Sequence, residues 1–205
     1  MNEEIRRRFV DWTQGLNELD SRIRVFEKIK NIPYGVTPNL PPDYNITRAS
    51  FESSLMGFFK YNRGTCTHKH YLLGSMFEKL GIPVKYATYP FYWRDLDVDF
   101  PKHVRYLAEQ MPLAYHLACK VVIGSEELVV DATWDSTLAK AGFPVNREWD
   151  GFLSTSVAVK ARSEILHNNL DERFTYVHGR LTKEPKIREF SDELDKWLRD
   201  LQEPD

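Results

Sequence analysis

Arg63-Gly64-Thr65-Cys66-Thr67-His68-Lys69-His70, continued by Tyr71 to Pro83, is the stretch from which the rest of the chain can be read. Leu72, Leu73, Met76, Phe77 and Leu80 recur at the spacing of a helix with one apolar stripe, and Gly81 and Pro83 supply its stop. Cys66, Leu73 and Leu80 are each seven residues apart and so fall on one line. That puts Cys66 at the helix N-terminus, on its core-facing side. Unpaired N–H groups and a partial positive charge there favour thiolate over thiol. The same N–H groups suit an oxyanion developing on a carbonyl substrate. Gly64 is expected to let the backbone turn sharply just before. A buried cysteine that merely begins a helix would fit equally, so the reading depends on what else converges on Cys66.

Two apolar runs downstream, Ala114–Ile123 and Leu128–Trp134, flank Gly124-Ser125-Glu126-Glu127, and Gly-Ser between β-prone runs predicts a hairpin. Strand alternation places His116, Ala118, Lys120 and Val122 on one face, with Tyr115, Leu117, Cys119, Val121 and Ile123 on the other. With Gly124 and Ser125 as the turn, Ala118 faces Asp131 and His116 faces Thr133. Asp131 is then a diagonal neighbour of His116 on one face. A loop with an odd number of residues would move Asp131 to the opposite face. A carboxylate closing the apolar run Leu128-Val129-Val130-Asp131 needs a partner, and an imidazole is a suitable one. The bland alternatives are a structural histidine and an aspartate that caps the turn after its strand.

The remaining sequence frames these residues. Apolar positions from Ile5 to Ile29 keep a helical period, with Gly15 marking a kink or break, and the proline-rich Asn31–Asp43 reads as a loop. A helix is expected over Ser50–Phe59, a Tyr-rich strand over Val84–Trp93, an acidic loop over Arg94–Asp99 and a short helix over Lys102–Gln110. A last charged helix begins near Ser191 and ends before Pro204. Helices, a central sheet and helices again predict an α+β fold. The chain's 205 residues, 42% of them hydrophobic, suit a single domain over 1–205. Its 28 Lys+Arg against 30 Asp+Glu argue against a nucleic-acid or membrane-surface binder. No apolar run approaches a membrane span and the first residues do not read as a signal peptide, so a cytoplasmic protein is expected. Two cysteines, Cys66 and Cys119, are too few for a disulfide framework.

Residues from about 29 to 149 resemble the transglutaminase-like superfamily of papain-fold cysteine enzymes. Ile32-Pro33-Tyr34 looks like its short Tyr-containing strand, and Arg63-Gly64-Thr65-Cys66-Thr67 with Leu80-Gly81-Ile82-Pro83 is similar to its nucleophile block. His116 matches the family histidine, and Val130-Asp131-Ala132-Thr133-Trp134 resembles the family's acid-bearing close. Leu117-Ala118 after the histidine departs from the common Ala-Trp, and Ala132 replaces the usual proline; both lie outside the chemistry. Asn146-Arg147-Glu148-Trp149-Asp150-Gly151 looks like a loop of small prokaryotic members, while 1–28 and 150–205 are N- and C-terminal helical extensions. The resemblance implies a papain-like core with the nucleophile helix on an antiparallel sheet, and a Cys66–His116–Asp131 triad. It further implies a thioester intermediate formed from a peptide, protein or amide substrate, released by water or an amine, without cofactor or metal. Asn62 and Tyr34 are candidate oxyanion donors.

Other residues bear on alternatives. Cys66, His70 and His116 invite a metal reading, but zinc sites use three or four ligands and no CxxC or HExxH motif occurs. His68 and His70 are accordingly expected to be polar surface residues, and Cys119 a core residue. Trp93, in the aromatic stretch Tyr86–Trp93, is a candidate border of a substrate groove together with Asp95, Asp97 and Asp99. Arg6-Arg7-Arg8 reads as a solvated helix face. A catalytically silent binding module on the same fold is the second functional reading.

Overall fold

Gly124 adopts φ +64° at the first position of the two-residue turn, where a hairpin calls for glycine. The strands it joins pair Cys119 with Val130, Val121 with Leu128 and Ile123 with Glu126, the in-step register expected of a Gly124-Ser125 turn. The structure, a computed structural model, describes residues 3–35, 48–180 and 186–203. The proline-rich part of the expected loop from Val36 to Asp43, and Pro204, lie outside the described residues.

Four antiparallel strands form one sheet in the order β3-β2-β1-β4: β1 is Val84–Phe91, β2 Ala114–Ile123, β3 Glu126–Val130 and β4 Ile165–His167. The helices are α1 (Glu3–Thr13), α2 (Glu18–Lys30), α3 (Arg48–Tyr61), α4 (Cys66–Lys79), α5 (Lys102–Gln110), α6 (Leu170–His178) and α7 (Lys186–Gln202). This is an α+β fold. Alternation sorts the sheet into two cores. Tyr86, Leu117, Cys119, Val121, Leu128 and Val130 join Val25 and Phe26 of α2, Phe58 of α3, and Leu73, Met76 and Phe77 of α4. Ala87, Tyr89, Phe91 and Ala118 on the other face join Leu96, Val98, Val104 and Leu107 and, from α7, Phe190, Leu194 and Leu198. Cys66 packs against both.

The first helical run breaks at Gly15, as expected, and Asn17 then caps α2 by accepting from the Asp20 N–H. Several other elements differ from expectation. The short strand expected at Ile32–Tyr34 contracts to one parallel bridge, Tyr34 with Gly64. β1 stops at Phe91, after which Trp93–Asp95 form a single 3-10 turn. β3 stops at Val130 because the next N–H groups turn elsewhere. That of Asp131 donates to Thr155 Oγ1 at 2.8 Å and that of Ala132 to the His70 ring at 3.0 Å. α7 begins at Lys186, so Ser191 lies inside it rather than capping it. β4 and α6 arise where irregular chain was expected. Among the described residues no helix is long and apolar enough to cross a membrane.

Candidate active site

Thr65 precedes α4 in extended conformation, and His68 closes the first turn by accepting from the Thr65 N–H at its Nδ1. Gly64 is needed for closeness rather than for an unusual φ: a Cβ there would lie 2.6 Å from the Phe58 ring. Cys66, the first residue of α4, is partly exposed, and the His116 ring lies close enough to its sulfur to favour the thiolate. The Leu117 N–H acts on the sulfur in the same sense.

His116 projects from the third residue of β2, paired with Tyr89 of β1, and its Nε2 lies 2.7 Å from Asp131 Oδ2. An ionised carboxylate only accepts, so Nε2 carries a proton and Nδ1 is left for the sulfur. Asp131 is fully buried and its acceptor sites are filled. Oδ1 accepts from the Thr133 N–H and hydroxyl at 3.1 and 2.6 Å, and Oδ2 from His116 and the Ala158 N–H, the latter at 2.8 Å. Burial opposes ionisation of this carboxyl, but His116 and the hydrogen bonds outweigh it and hold its pKa below the usual carboxylate range.

The same balance sets the other two. Burial favours a neutral His116, yet Asp131 and Cys66 override it and raise the imidazolium pKa to about 10. Burial likewise opposes a thiolate at Cys66. The neighbouring His116 ring, with Arg173 and the Leu117 N–H, reverses that and lowers the thiol below its ordinary value. Chemically, these opposed shifts favour a thiolate–imidazolium pair at neutral pH: an activated nucleophile beside a proton donor.

Two histidines expected on the surface are buried, which corrects that reading. His68 Nε2 meets the Ser54 hydroxyl at 2.7 Å, and that hydroxyl donates onward to Phe51 O. His70 Nδ1 donates to the Cys66 carbonyl at 2.9 Å while its Nε2 accepts from Ala132. Each ring is neutral, its pKa pushed down to about 4 by burial. His70 thus ties the nucleophile's backbone to the residue after Asp131. Both its nitrogens are engaged, which removes it from the metal set considered with Cys66 and His116. Among the described residues no group of three or more His, Cys, Asp or Glu side chains is arranged to hold a metal.

Of the remaining candidates, Tyr34 is buried edge-on to Trp134 at 4.5 Å and close enough to Cys66 for a thiolate to oppose ionisation of its phenol. Asn62 is turned away: at φ 46° its amide oxygen accepts from Arg8 at 2.8 Å on the exposed side. Arg8 is therefore not simply a solvated residue, for it fastens α1 to the end of α3. Trp93 packs on Phe91, Trp134 and Phe190 within the second core. Leu96 and Val98 bury between the exposed Asp97 and Asp99, and Asp95 pairs with Arg162 at 3.0 Å. Cys119 is buried on the opposite face of β2 and donates to the His70 carbonyl.

Several supporting groups carry no sequence motif. Lys69 is fully buried and its Nζ donates to the carbonyls of Lys30, Ile32 and Thr133, binding the Tyr34 segment to the Asp131 loop. Burial lowers its pKa to about 7. The Asn146 amide donates to the carbonyls of Asp131 and Ser156, so the loop from Asn146 to Gly151 braces the acid. From α7, Asp195 pairs with Arg63 at 3.1 Å and Gln202 donates to Tyr34 O and Asp135. The C-terminal helix therefore buttresses the segments that carry Tyr34 and Arg63.

The chain matches no family model, no curated protein and no solved structure. The functional reading therefore stands on the site itself.

Proposed function

We propose that this chain is a cysteine enzyme of the transglutaminase-like, papain-fold type, acting on an amide or peptide bond through Cys66, His116 and Asp131. The observation that carries the reading is the buried His116–Asp131 pair, its carboxylate with every acceptor site filled, beside a cysteine whose ionisation the ring favours. Cys66 attacks the carbonyl carbon and a tetrahedral oxyanion forms against the N–H groups at the start of α4. The His116 imidazolium gives its Nδ1 proton to the departing amine as the C–N bond breaks, leaving a thioester on Cys66 and a neutral ring. The ring then takes a proton from an incoming water or amine, which displaces the sulfur and restores the pair. Asp131 keeps the proton on Nε2 and steadies the imidazolium throughout. Tyr34, beside the thiol, is the sequence-derived oxyanion donor whose position agrees with this role; Asn62 is not.

Incubation with a library of amide and peptide acyl donors, followed by mass spectrometry of the intact protein, tests the reading. It requires an acyl adduct on Cys66, resolved by water or an added amine, and no adduct in Cys66→Ser or His116→Ala. Turnover unaffected by Cys66→Ser would remove Cys66 from the reaction, whereas no adduct with any donor while Cys66 alkylates as slowly as an ordinary buried thiol would favour a silent binding module.

A further inference from the structure

Arg173 of α6 is 1% exposed, and its Nη2 donates at 3.2 Å to the carbonyl of Tyr115, the residue before His116. Its Nε and Nη1 are buried with no hydrogen-bond partner in the described structure. Nor does any carboxylate among the described residues form an ion pair with it. A buried guanidinium without an anion is costly, and such a group persists where its field serves another charge. We infer that Arg173 is a positioning residue for the nucleophile, a fixed buried cation whose counter-charge is the Cys66 thiolate.

The site then holds a buried anion and a buried cation. Asp131 lies against His116, and Arg173 is tied to the backbone just before that ring. Moving the proton from Cys66 to His116 places the positive ring beside the carboxylate and leaves the negative sulfur in the field of the guanidinium. Two opposite charges are created with no change in the net charge of the four groups, and each has an opposite charge to stabilise it. Each group's electrostatics agrees: burial lowers the Arg173 pKa only to about 10, leaving it charged at neutral pH, and Cys66 is the charge that pulls it back up. Other groups face this set. Lys69 and His70 come from α4, and Tyr34 from the segment before α3. His167 of β4 faces Arg173, whose charge lowers that ring's pKa. Lys69 is committed to three carbonyls, His70 is neutral and His167 meets Thr88 Oγ1, so none of them replaces Arg173 as a cation for the sulfur.

This inference rests on the proposed triad, and its test separates the two. The thiolate absorbance near 240 nm is titrated in the full chain, with Cys66→Ser as baseline, for wild type, Arg173→Met and Arg173→Lys. The expected result is a wild-type midpoint below that of an ordinary thiol, raised by about one pH unit in Arg173→Met and largely restored in Arg173→Lys. A wild-type midpoint at the ordinary value overturns the triad itself. A lowered wild-type midpoint that Arg173→Met leaves in place overturns only the role of Arg173. Should Arg173→Met fail to fold, the Nε–H resonance of Arg173 in wild type decides. It must shift with the thiolate titration and stay still in Cys66→Ser; a resonance that ignores the thiolate overturns the inference.

Discussion

His116 and His70 are both buried beside Asp131, their rings 6.0 Å apart, yet one is held as a cation and the other as a neutral ring. His116 meets the carboxylate at 2.7 Å with a protonated nitrogen. His70 turns its unprotonated Nε2 to the Ala132 N–H, and the carboxylate stands off at 3.5 Å. Burial acts alike on both. The partner of one nitrogen decides the charge, and with it whether a histidine serves proton transfer or holds backbone together.

The largest effect is expected from removing what distinguishes the two rings. Asp131→Asn should return the Cys66 thiol towards its ordinary midpoint and reduce acyl transfer by about 10³–10⁴-fold, checked by steady-state rates and the thiolate titration. An activity within tenfold of wild type would remove Asp131 from the mechanism. His116→Ala should abolish the alkylation advantage of Cys66 over Cys119 near neutral pH, read by peptide-level mass spectrometry with iodoacetamide. His70→Leu should do the reverse. It strands the Cys66 carbonyl and the Ala132 N–H, lowering stability by about 2–4 kcal/mol in urea melts, while the thiolate persists at neutral pH. If the thiolate is lost as completely as in His116→Ala, the division between the two rings is wrong.

Acid should expose the neutral histidines next. Their folded pKa values of about 4 lie below the 6.5 of an ordinary ring. Between those limits the unfolded chain binds protons that the folded chain refuses, so stability falls as pH drops from 6.5 to 4. The loss is on the order of 2–3 kcal/mol per ring. Urea midpoints across that range should flatten in His68→Gln; a profile as steep as wild type would contradict a neutral His68. The smallest effect is expected at Gly64→Ala, where the added methyl meets Phe58 and costs about 1–3 kcal/mol without changing the thiolate midpoint.

How much of this could be read beforehand follows the range of the forces involved. The start of α4 and the register of the β2–β3 hairpin were legible because period, stop signals and turn chemistry are local. The pairing of His116 with Asp131 followed from that register. His68 and His70 misled because a polar run is normally solvated, and Lys69 between them gave no sign of its burial. They are buried only because Ser54, Ala132 and the carbonyls of Lys30, Ile32 and Thr133 converge on them from elsewhere in the chain. β4, three residues long with Leu166 exposed, carries too little pattern to announce a strand. Arg173 lies in a stretch read as irregular chain, and only the placement of α6 gives it a role.

The most direct test of the thiolate–imidazolium pair is the ring nitrogen spectrum of His116 in the resting protein at pH 7, with Cys66→Ser alongside. Wild type should show an imidazolium that persists to about pH 10 and that loses stability once the sulfur is gone. A neutral His116 ring at pH 7 beside a protonated thiol would contradict it.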